Sequence, residues 1–75
     1  MPVFSFLAYP EDNMKEQLIK DLSDLDYCDI KAADNNDVLI LITDTPDEVT
    51  NKELLTTIKN LTSLQSLSMT FGHAD

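Results

Sequence analysis

Seventy-five residues leave room for one domain with a thin hydrophobic core. Fourteen acidic side chains against five basic ones, every one a lysine, set the net charge at −9. That charge excludes polyanionic partners: nucleic acid demands a basic face to neutralise phosphates, and an anionic membrane surface is disfavoured for the same reason.

With 43% apolar residues the chain is expected to fold despite its charge, as one domain over residues 1–75. The single cysteine, Cys28, rules out an internal disulfide and a Cys-x-x-Cys site, and reads as a small apolar core residue. The apolar run Val3–Tyr9 is interrupted by Ser5, has no basic residue ahead of it and is soon followed by acids. It reads as neither a signal peptide nor a membrane span, and the expected location is the cytoplasm.

Val3–Tyr9 is rich in β-formers and stops at Pro10, which predicts a strand. Glu11–Leu25 carries Met14, Leu18, Leu22 and Leu25 on one helical stripe with Ile19 beside it, and Glu11 and Asp12 are expected in the first turn. Tyr27–Ala33 alternates, with Cys28, Ile30 and Ala32 on one face and Asp29 and Lys31 on the other. Asp34–Asp37 reads as a tight turn, and Val38–Thr43, apolar on both faces, as a central strand. Thr45–Pro46–Asp47–Glu48 has the pattern of a capping box, with Thr45 as the cap, opening a helix to about Asn60. Its expected apolar side is Val49, Leu54, Leu55, Ile58 and Leu61. Gln65–Phe71 alternates again and is the last strand. The order β-α-β-β-α-β predicts an α+β, ferredoxin-like sandwich: a four-stranded antiparallel sheet in the order 4-1-3-2, with both helices on one face.

The other sheet face is left open. A symmetric turn over Asp34–Asp37 sets Ala33 opposite Val38, Ala32 opposite Leu39 and Ile30 near Leu41, which assigns Leu39 and Leu41 to the core. Phe4, Phe6, Leu67, Met69 and Phe71 are the other core candidates. The open face then holds Val3, Ser5 and Leu7 beside Val38, Ile40 and Ile42, flanked by Ser66, Ser68 and Thr70. Such an apolar stripe suits a contact with another chain, a face-to-face homodimer, or no contact at all.

Support for catalysis is thin. Without arginine there is no guanidinium clamp for phosphate or carboxylate. Gly72 is the only glycine, so no glycine-rich phosphate loop exists. His73 stands alone near the C-terminus, and the carboxylate pairs Asp24/Asp26, Asp34/Asp37 and Asp47/Glu48 fall in turns and helix starts, where acids are expected anyway. Asp34–Asp37 is too short for a calcium loop. The expectation is a binding protein with no catalytic residues, no metal and no cofactor. An alternative is a small ACT-like regulatory module holding an amino acid at a dimer interface, or a purely homodimerising module. Against the ACT-like reading, Tyr9–Asp12 lacks a glycine for close backbone approach.

The first strand Val3–Phe4–Ser5–Phe6–Leu7, the segment Leu41–Ile42–Thr43–Asp44 ahead of the capped second helix, and the ending Leu64–His73 resemble the NapD family, over nearly the whole chain. Those are small cytoplasmic chaperones for maturation of the periplasmic nitrate reductase. The resemblance implies the ferredoxin-like fold and binding of the twin-arginine signal peptide of the catalytic subunit, delaying export until the molybdenum cofactor is in place. An arginine pair suits a −9 surface and an apolar stretch suits the open stripe. Ser5 would then sit mid-face, with Asp29 and the acids at the helix starts as candidates to meet the arginines.

Overall fold

The computed structural model describes residues 3–32 and 37–73, with side chains described as far as Thr70. Six elements follow in order: β1 (Val3–Pro10), α1 (Lys15–Ser23), β2 (Cys28–Ala32), β3 (Leu39–Asp44), α2 (Glu48–Lys59) and β4 (Leu64–His73). All strand pairs are antiparallel and the sheet order is β2-β3-β1-β4, the expected ferredoxin-like arrangement. The register Ala32↔Leu39 and Ile30↔Leu41 also follows the expected pairing. Asp34–Asn36 and the Ala33–Val38 pair lie outside the described residues.

The core is built on one sheet face. Phe6 and Ala8 of β1, Leu39 and Leu41 of β3, Leu18 and Leu22 of α1 and Ile58 of α2 are buried together. Phe4, Cys28, Ile30, Leu54, Leu55 and Leu67 close around them. Phe4 and Phe6, two residues apart on the same face, bring their rings to 6.2 Å. Both helices therefore cover the same side.

Several local expectations are corrected. Helix α1 starts four residues later than the apolar stripe suggests. Glu11–Met14 forms a turn closed by Met14 N–H donating to Glu11 O at 3.0 Å, with Asn13 at φ 63°, left-handed backbone that Asn tolerates. Glu11 and Asp12 thus belong to that turn, and Glu16 is the acid at the helix start. Leu25 falls just past the C-cap, Asp24, and still packs on the core.

Helix α2 is capped by Asp47, not Thr45: the Thr50 N–H donates to Asp47 Oδ1 at 2.7 Å, and these bonds hold the Asp47 carboxyl below its usual range. Thr45 is buried instead, its hydroxyl donating to Asp47 O at 3.2 Å. Val49, expected inside, is 68% exposed. Nine residues separate it from Ile58, about two and a half helical turns, so the two point to opposite sides. The inward stripe runs through Asn51, Leu54, Leu55 and Ile58.

Met69 and Ala32 are corrected too. Each keeps the core-side phase of its strand, opposite Phe6 and Leu39, yet both are exposed because they stand on edge strands beyond the reach of the helices. In β4 the register shifts after Met69, leaving Thr70 without a partner and placing Phe71 opposite Ser5 in the backbone ladder. The Phe71 side chain, expected in the core, is outside the described set.

One serine ties distant parts together. Ser63, fully buried, donates its hydroxyl to Asp21 Oδ2 at 2.7 Å, and its carbonyl accepts from Glu11 N–H at 2.8 Å. Gln17 Nε2 donates to Asp21 Oδ1 at 2.8 Å. The Ser63 bond, then the Gln17 bond, hold the Asp21 carboxyl below the usual 3.8. A carboxyl depressed in the folded state adds stability above its ordinary pKa and loses it as pH falls through the folded value. Ser63→Ala is expected to lower Tm at neutral pH and to lose less Tm than the parent between about pH 5 and pH 2. A pH series of thermal melts checks this. In the core, the Thr43 hydroxyl is buried with no hydrogen-bond partner among the described residues. Thr43→Val removes that orphan at nearly constant shape and is expected to raise stability by about 1 kcal/mol in denaturant titration.

Candidate functional site: the uncovered sheet face

The strand period of two decides what faces away from the helices. Phe6↔Leu41 and Ala8↔Leu39 are core pairs; the intervening pairs Ser5↔Ile42 and Leu7↔Ile40 point the other way. Val3 shares their phase. The structure thus brings Val3, Ser5, Leu7, Ile40 and Ile42 together across the two central strands. Ile40 is 37% exposed and the others are half-buried by one another. Val38, half-buried, lies just ahead of β3.

On one flank, Ser68 stands opposite Leu7 and Ser66 opposite Tyr9, both exposed. Thr70 departs from this row. At the register shift its hydroxyl turns back to donate to Ser5 O at 3.0 Å, pinning β4 to the middle of β1. On the other flank, β2 sets Lys31 opposite Ile40 and Asp29 opposite Ile42.

An aliphatic stripe bordered by hydroxyls and charges is therefore held on a rigid ladder. At its β1-start end lie two exposed carboxylates: Asp29, and Asp44 opposite Val3. The Asp44 N–H donates to Tyr27 O at 3.1 Å, which holds that end of β3 in place. A strand that ends at Thr43, as the sequence predicts, leaves Asp44 out; β3 runs one residue further, and the period from Ile40 and Ile42 then reaches Asp44.

At the opposite end of β1 a cavity of about 390 Å³ opens beside Tyr9. It is lined by Glu11 and Asp12 of the turn, Lys15, Asp37 and Gln65. Three of these are acids, brought together only by the fold.

Reactive groups are scarce. Burial, then the neighbouring charge of Asp26, pushes the Cys28 thiol up to about 11, so it stays protonated and packs as an apolar group. No group of three or more metal-ligating side chains occurs among the described residues. No described helix is long and apolar enough to cross a membrane. The His73 side chain lies outside the described set.

No family model and no curated protein sequence matches the chain. Its backbone, however, superposes on the solution structure of NapD, the Tat proofreading chaperone of E. coli, with a TM-score of 0.82. The fold is that of NapD. The match covers 97% of this chain and 78% of the NapD chain at 15% sequence identity, so the likeness to NapD lies in the path of the backbone and the order of its strands.

The two faces of β3 make a direct test. Ile40→Asp places a charge at the water-facing surface and is expected to leave Tm within a few degrees of the parent. Leu41→Asp buries an unpaired charge among Phe6, Leu18 and their neighbours, at a cost of several kcal/mol, which exceeds what a thin core withstands. Circular dichroism melts of the two variants check the assignment of faces.

Proposed function

We propose that this protein is a NapD-type chaperone that binds the twin-arginine signal peptide of a periplasmic nitrate reductase catalytic subunit in the cytoplasm and delays export until cofactor insertion and folding are complete. The observation that carries the reading is the aliphatic stripe Leu7, Ile40, Ile42 on a NapD-like fold, with carboxylates at both ends and a chain charge of −9. A twin-arginine peptide has the complementary make-up: a cationic pair beside an apolar stretch.

The division of labour follows from the physics of each contact. The acidic field raises the rate of encounter with a cationic segment, and desolvation of the stripe sets the residence time. Asp29 and Asp44 stand where an arginine pair would lie if the apolar segment covers Ile42 and Ser5. Arginine presents a planar fork of donors to two carboxylates, which lysine does not. The acid-lined cavity at Glu11, Asp12 and Asp37 would repel the carboxylate of a free amino acid, which favours the peptide reading over an ACT-like one.

Calorimetric titration of the full chain with a twin-arginine signal peptide is expected to give a Kd tighter than roughly 100 μM. A Lys–Lys peptide should bind at least fivefold more weakly. Leu7→Asp and Ile40→Asp should each reduce affinity more than tenfold while the fold persists. Binding should weaken as salt screens the charges. No binding by the parent chain at that concentration, or equal binding by the Lys–Lys peptide and both variants, overturns the proposal.

A further inference from the structure

The sheet has two outer edges, and they are built differently. The β2 edge is five residues long and carries the exposed charges Asp29 and Lys31. The β4 edge is ten residues long, and Leu64–Gly72 contains no charged residue and no proline. Among the described residues β4 pairs only with β1, so its outward N–H and C=O groups form an unpaired row. Exposed edges are ordinarily guarded by charges, prolines or shortness, because a bare row of backbone groups accepts any extended chain. Here charge and shortness guard β2, while β4 has neither and carries only the two register shifts that bound Ser66–Met69. The exposed side chains along it, Ser66, Ser68, Met69 and Thr70, are short or flexible and leave the backbone approachable. Between the two register shifts, Ser66–Met69 keeps an unbroken ladder.

We propose that the outer edge of β4 is a second docking site, taken by an extended, cationic polypeptide segment that adds to the sheet as a fifth strand. The backbone row dictates an extended partner, since only a strand matches its alternating donors and acceptors. The charge of −9 dictates the sign: a lysine- or arginine-bearing segment is drawn in, whereas a second copy brings −9 against −9. The site is distinct from the stripe and does not depend on the chaperone reading.

The probe is a capped eight-residue peptide alternating lysine and valine, compared with a copy N-methylated at every residue and a copy with glutamate for lysine. Residue-resolved amide exchange of the full chain is expected to show at least tenfold protection at alternate residues within Ser66–Met69 when the lysine peptide is present. Both control peptides should lose at least tenfold in affinity, and Ile40→Asp should retain binding, which separates this site from the stripe. Ser68 and Met69 are adjacent, so their N–H groups point to opposite sides of β4; of Ser68→Pro and Met69→Pro, the one whose N–H points outward keeps the β1 ladder and the parental Tm. That folded variant is expected to lose the peptide. Absence of binding at 1 mM, equal binding of the N-methylated copy, or protection confined to Leu7, Ile40 and Ile42 overturns the proposal. Concentration-dependent protection of β4 without peptide also overturns it, in favour of a second copy.

Discussion

The pairing of β1 with β3 is the constraint on which everything else rests. These two strands fill the middle of the sheet, and each is apolar on both faces. Two helices are enough to cover one side only. Once Phe6, Ala8, Leu39 and Leu41 are committed to that side, the intervening residues have no choice but to face water. The stripe is thus the unavoidable counterpart of the core: a single-residue slip would exchange the two sets and destroy both.

The acidic charge acquires a location only through this geometry. Along the chain the carboxylates look evenly spread, as on any soluble surface. In space five of them stand at the two ends of the stripe, Asp29 and Asp44 at one, and Glu11, Asp12 and Asp37 around the cavity at the other. That surface is greasy along its middle and negative at its ends. The backbone likeness to NapD places it on a fold that a Tat proofreading chaperone also uses.

The topology and the face assignment were readable because they depend on periodicity summed over whole elements. Ser5, Leu7, Ile40 and Ile42 alternate strictly with buried neighbours, and no competing signal disturbs them. What escaped were features decided by one or two hydrogen bonds. The helix α2 cap stands at Asp47, not Thr45, because the Asp47 carboxylate takes the Thr50 N–H while the Thr45 hydroxyl is spent donating to Asp47 O. The start of α1 moved because Asn13 accepts a left-handed backbone that no apolar count reveals. Thr70 left the hydroxyl row because a register shift in β4 breaks the alternation that pattern reading assumes. The cavity beside Tyr9 joins residues from three separate segments, which only the folded chain brings together.

Ser63 joins segments 42 residues apart, with its side chain on α1 and its carbonyl on the turn after β1. With seven buried apolar side chains among the described residues, there is little to sustain a partly opened form. Releasing α1 breaks the Ser63 side-chain bond and loosens the start of β4, and with it the flank of the stripe. The uncovered face therefore exists whole or vanishes with global unfolding, and its slowest-exchanging amides should report one common opening free energy rather than a gradient.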